Sequence, residues 1–139
     1  MNYKELMVGD WVNYKSPSSG KLRSIKIENI YGAEFNCEVE NWNIISGKSI
    51  SDTEPIPLTE DILVKNGFSY TANVIGRHNC KCYELEQKGV YHMTISIYKN
   101  EITCELDKVD AMYMNVVTNC VHQLQHLLRL CGIERELIV

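Results

Sequence analysis

Two prolines one residue apart, Pro55 and Pro57 in Glu54-Pro55-Ile56-Pro57-Leu58, constrain this chain more than any other feature. Neither can donate to a β-ladder, and each pushes the residue before it into an extended path, so no helix or interior strand runs through the segment. The 139 residues are thereby split into a front and a rear half. Just after the prolines, Thr59 is a helix N-cap, Glu60 and Asp61 occupy the first turn where the helix dipole favours acids, and Asn66-Gly67 form a left-handed stop. A helix of two turns does not persist alone, so Leu58, Ile62 and Leu63 must pack onto neighbouring structure. The expected organisation is a small β-sheet over residues 1–53, a connector and short helix over 54–67, and a meander with a terminal helix over 68–139, together one compact unit.

In the front half Gly9-Asp10 leads into Trp11-Val12-Asn13-Tyr14-Lys15, an alternating, aromatic-rich strand signal. Ser16-Pro17-Ser18-Ser19-Gly20 reads as an exposed turn. Leu22, Ile25, Ile27 and Ile30 mark a second strand up to Tyr31-Gly32, Ala33 to Val39 a third, and Trp42 to Ile45 a fourth. A sheet this narrow hides its apolar face only by curling, which predicts a small, bent antiparallel sheet or barrel of SH3-like size.

The rear half opens with Phe68-Ser69-Tyr70. Cys80 to Glu86 meets Val90 to Lys99 through Gln87-Lys88-Gly89, and Lys99-Asn100 turns into Glu101 to Leu106. In the middle strand Tyr91, Met93, Ile95 and Ile97 share one face, opposite His92, Thr94, Ser96 and Tyr98. Met112 to Val117 suits a fourth strand or an extension of the next helix; we assign it as strand because Thr118 makes a good N-cap. From Asn119 to Cys131, Cys120, Val121, Leu124, Leu127, Leu128 and Cys131 recur at steps of three and four before Gly132. The other face carries His122, Gln125, His126 and Arg129. The predicted class is α+β, with this helix laid on the apolar face of an antiparallel meander.

Charge and composition limit the function classes. A chain 45% hydrophobic and 23% charged is an ordinary globular domain. No apolar run approaches the roughly 20 residues of a membrane span. The first ten residues lack a signal peptide's apolar stretch, so a cytoplasmic chain with no membrane contact is expected. Its six cysteines, Cys37, Cys80, Cys82, Cys104, Cys120 and Cys131, are then expected as reduced thiols, mostly core filler. Residues 1–27 carry five bases against two acids, residues 28–62 eight acids against Lys48, and the net charge is −4. A dedicated nucleic-acid binder would instead be basic, so any such contact must be local.

Leu6-Met7-Val8-Gly9-Asp10-Trp11-Val12, the run Glu54 to Leu63 with Lys65-Asn66-Gly67-Phe68, and Val121-His122-Gln123-Leu124-Gln125-His126-Leu127 together resemble a family of short uncharacterised proteins of Bacteroides-type gut bacteria and their prophages. The resemblance spans nearly the whole chain. It implies a shared fold and a mobile-element setting, and it brings no activity with it.

Three constellations bear on chemistry. Cys80 and Cys82 fall on one strand face with His78 nearby, as a soft metal would need, and Cys104 or His92 are the nearest further ligands; yet the paired spacing of zinc sites is absent, and ordinary strand cysteines explain the pattern better. His122 and His126 share a helix face as in metalloproteases, but Gln123 stands where the glutamate base belongs. Cys120 lies near His122 at the helix start, yet i and i+2 diverge and Cys120 belongs to the buried stripe. With no phosphate loop, carboxylate pair or serine elbow, the expectation is a non-enzymatic binding or assembly module with no cofactor. Its partner would be a protein or a second copy, met by His122, Gln125, His126 and Arg129. The alternative is a nucleic-acid contact by the first sheet, with Trp11, Tyr14, Tyr31 and Trp42 as stacking surfaces among Lys15, Lys21, Arg23 and Lys26. Against that stands a reading in which Trp11 and Trp42 only fill the small barrel. A metal protein or an enzyme comes last.

Overall fold

The computed structural model describes residues 5–39, 43–73, 80–87, 91–99, 101–108 and 112–139. Two antiparallel five-stranded sheets and two helices make a small α+β fold. The chain divides into two compact units, Met1–Pro57 with Cys120–His126 and Val139, and Leu58–Asn119 with Leu127–Ile138.

In the first unit β1 (Trp11–Lys15), β2 (Leu22–Tyr31), β3 (Glu34–Val39), β4 (Asn43–Ser49) and β5 (Thr53–Glu54) lie in the order β4-β3-β2-β1-β5. The Ser16–Lys21 turn closes the β1–β2 hairpin, with Ser16 N donating to Lys21 O. Its register sets Val12 against Ile25 and Tyr14 against Arg23. Because side chains alternate along a strand, Val12 and Tyr14 share a face with Arg23, Ile25 and Ile27. That face holds the core of Leu6, Val12, Ile25, Ile27, Phe35, Cys37 and Ile50. The bend comes from register shifts between Ile27 and Asn29 and between Phe35 and Cys37, since an extra residue on one strand kinks the ladder and raises its twist. The sheet is open, with β4 and β5 as edges, so of the two shapes expected the bent sheet forms. Trp42 lies outside the described residues.

The second unit begins with α1 (Glu60–Lys65), capped as its sequence predicts: Thr59 Oγ1 accepts from Ile62 N, and Gly67 takes the positive φ of 78°. Asn66 is more than a stop signal. Its amide donates to Ile62 O and Ile138 O and accepts from Ile138 N, fastening the C-terminal segment to the helix end. β6 (Ser69–Asn73), β7 (Cys80–Gln87), β8 (Tyr91–Tyr98), β9 (Glu101–Lys108) and β10 (Met112–Val117) follow in the order β10-β9-β8-β7-β6, a meander. Register aligns Tyr83, Ile95 and Cys104, and also Leu85, Met93 and Leu106, on one buried face.

Helix α2 (Val121–Leu130) starts two residues later than expected, and Thr118 is not its cap. Thr118 is buried and donates its N–H to Ile102 O. Cys120 is the cap residue: its carbonyl accepts from Leu124 N, and its sulfur accepts the N–H of Gln123. Val121 N donates to Ile56 O, and Pro57 and Cys120 form an isolated bridge, so the extended proline segment satisfies a free helix N–H. The predicted stripe of Cys120, Val121, Leu124, Leu127, Leu128 and Cys131 is buried throughout.

Candidate functional site

The open end of the first unit's concave face carries a cavity of about 190 Å³. Of the residues proposed from sequence as a nucleic-acid contact, Tyr14, Lys21 and Arg23 line it. Strand alternation explains their meeting: Lys21 and Arg23 continue the face of β2 that carries Ile25 and Ile27, and Tyr14 pairs with Arg23 across the hairpin. Lys48 was missed. It lies in the acidic stretch of the sequence, but β4 pairs with β3 so that Lys48 stands opposite Phe35. Its ammonium lies 5.6 Å above the Tyr14 ring, whose other contact is the edge-on Phe35 ring at 6.3 Å.

The walls add the Ser16 and Ser19 hydroxyls, and the floor is apolar, from Ile25, Cys37 and Ile45. No acidic side chain lines the cavity. Among the described residues no carboxylate pairs with Lys21, Arg23 or Lys48. Burial pushes the Cys37 thiol up, and the nearby Lys48 charge opposes that rise, so the field of this cation reaches the cavity floor.

Trp11 is not part of the cavity. It occupies the opposite strand face with Lys15, and its backbone N–H donates to Gln125 Oε1. Nor does it fill the core, a place taken by Val12. Lys26, of the same parity as Trp11 in the register, is also on the far face, and Tyr31 is exposed away from the site.

The helix face proposed as a partner surface is largely internal. His122 and Gln125 are each 3% exposed, and of the four only Arg129 is exposed. Gln125 clamps the Gly9-Asp10-Trp11 corner within the first unit, accepting from Trp11 N and donating to Gly9 O. Gly9 adopts φ 85°, the left-handed conformation that lets this corner turn. Asp10 is fully buried, and its Oδ2 accepts from Met7 N and from His126 Nε2, both at 2.8 Å. Asp10, Gln125 and His126 are therefore hydrogen-bonded around this corner, and a carboxyl at zero exposure needs such partners.

His122 packs edge-on to His126 at 5.8 Å, with Nε2 3.6 Å from Cys120 Sγ and Nδ1 buried without a partner. Cys120 and His122 meet because Cys120 precedes the helix, so the helical divergence expected between them does not apply. Burial pushes the Cys120 thiol up and is the main cause holding His122 below the usual imidazole range. Both shifts favour a neutral thiol beside a neutral imidazole, the opposite of an activated nucleophile.

In the second unit the cysteines diverge. Cys82 is buried opposite Ser96, with its sulfur 3.6 Å from the hydroxyl, on the face turned away from Cys104. His92 shares the Cys82 face but pairs with Glu86, four residues along β7, which is about 13 Å of strand. It sits instead against Glu84 at 3.5 Å. His78 lies outside the described residues, among which no group of three or more His, Cys, Asp or Glu side chains is arranged to hold a metal. Burial pushes the Cys104 thiol up to about 12.

Among the described residues no helix is long and apolar enough to cross a membrane. Comparison with family models, with curated proteins and with solved structures gives no match to this chain.

Proposed function

We propose that this chain is a non-enzymatic binding module whose ligand is an anion held in the basic cavity of the first unit. One observation carries the reading: Lys21 at the β1–β2 turn, Arg23 on β2 and Lys48 on β4 line one concavity with no acidic side chain in its walls. Like charges brought together repel unless a counter-charge joins them, and a bound anion supplies it. The reading keeps the cations of the nucleic-acid contact that the sequence offered as an alternative, with an anion in place of a strand. It sets aside the α2 surface, because a partner cannot touch His122 and Gln125 where they are buried. Catalysis has no support in the Cys120–His122 pair, where burial pushes the thiol up and the imidazole down, against the charged forms a nucleophile and its base need.

The test is thermal denaturation of the full chain with millimolar phosphate, pyrophosphate, citrate or sulfate, alongside the Lys21→Ala/Arg23→Ala double variant. A ligand that binds only the folded state stabilises it by ~2.7 kcal/mol at a hundred times Kd. At least one anion is expected to raise Tm of the parent and not of the variant, while the two melt alike without ligand because both side chains are exposed. Equal responses from both proteins would refute the reading.

A further inference from the structure

We propose that the cavity takes a small terminal phosphate, that is, inorganic phosphate or a phosphomonoester with a compact apolar body, and not the diester backbone of a nucleic-acid strand. The inference rests on the reading of the cavity as an anion site and narrows its ligand. Size is the first argument. About 190 Å³ is below the roughly 300–1,000 Å³ of sites for drug-sized ligands, and suits a phosphate group with few attached atoms.

Charge is the second. A phosphomonoester concentrates about −1.5 to −2 charges on three oxygens at neutral pH, which three converging cations match, whereas a strand spreads one charge per phosphate along its length. A strand leaving the cavity meets the wrong field. Apart from Lys21, Arg23 and Lys48, residues 1–57 carry eight acids against three bases. The chain as a whole is at −4, which repels a long polyanion and matters little to a small one seated among cations.

Donor chemistry and surface are the third. The Arg23 fork offers two parallel N–H groups to phosphate oxygens, the two lysines act as point charges, and the Ser16 and Ser19 hydroxyls complete a donor set. Strand binding without sequence preference relies on open aromatic faces for stacking. The Lys48 ammonium already covers the Tyr14 ring, and Trp11 is on the other side of the sheet. The floor of Ile25 and Ile45 is apolar, as the carbon body of an organic phosphate requires.

Isothermal titration of the full chain with inorganic phosphate, phenyl phosphate and an unphosphorylated dodecathymidylate, which holds diesters only, tests this. Inorganic phosphate and phenyl phosphate are both expected to saturate, phenyl phosphate more tightly through the apolar floor. Affinity for phenyl phosphate should rise from about pH 5.5 to 7.5 as the second proton of the monoester, with pKa about 6, is lost. Arg23→Gln and Lys48→Gln should each weaken phenyl phosphate about tenfold or more. Lys15→Gln, on the opposite strand face, should leave Kd unchanged. If the oligonucleotide binds as tightly as phenyl phosphate, or the Arg23 and Lys48 variants bind like the parent, the monoester inference is overturned. A strand that saturates where monoesters do not also leaves the anion reading standing. No binding by any probe removes both.

Discussion

Gln125 carries two main-chain groups of the Gly9–Trp11 corner on one amide, so its loss leaves a half-buried N–H and a half-buried carbonyl without their partner. Gln125→Ala is therefore expected to cost about 1–3 kcal/mol in chemical denaturation. A cost near zero would return this position to the solvent-facing role that its polarity alone suggests. His122 is a second buried polar residue, and its effect depends on pH. Burial lowers its folded-state pKa below the unfolded 6.5, with His126 adding to the fall and Asp10 and Glu5 opposing it. The unfolded chain then binds the proton more readily, so this contribution to stability is intact above 6.5 and declines as the pH falls toward the lower folded pKa. Denaturation midpoints at a series of pH values should fall below 6.5 in the parent and fall less steeply in His122→Leu; parallel slopes would contradict the assignment. Neither burial was legible in the residues themselves. A glutamine or histidine at helical spacing looks like a wet face until a partner with free backbone groups is known.

At the scale of elements, α2 shows where periodicity suffices and where it does not. The apolar steps from Cys120 to Cys131 named the buried stripe correctly, because a helix cannot present those positions elsewhere. The width of the buried face and the start of the helix escaped, since the first depends on the Gly9–Trp11 corner that Gln125 bonds and the second on the extended segment at Ile56–Pro57, which receives the Val121 N–H. Two leucines of this helix provide a matched test. Leu124→Ala removes a fully buried side chain and should cost about 2–5 kcal/mol, while Leu130→Ala, 72% exposed, should change stability by less than about 0.5 kcal/mol. Similar losses from both would mean that the helix is rotated from the orientation described. The strands were easier to read. Alternation in β1, β2 and β8 and the turns at Ser16–Gly20 and Lys99 set their pairing, and Lys99 adopts the positive φ of 55° that such a turn needs.

For the whole molecule, burial also decides the state of the cysteines. Five of the six are buried, and those with resolved shifts are pushed up, so they behave as apolar filler in two different cores. By itself the sequence determined the α+β class, the break at Pro55 and Pro57, the two runs of short strands, and the caps of α1. These depend on backbone preferences and on side-chain period, which act over a few residues and are written in consecutive letters. Tertiary structure alone decided which polar residues became internal and which cations met. Lys48 comes to the same cavity as Arg23 only through the β2–β3 and β3–β4 registers with their two shifts, and Gln125 reaches Trp11 only when residues 114 apart fold together. The physical reason is that a hydrogen bond or a charge pair depends on distance in space. Local propensity carries no information about which distant segment will arrive there.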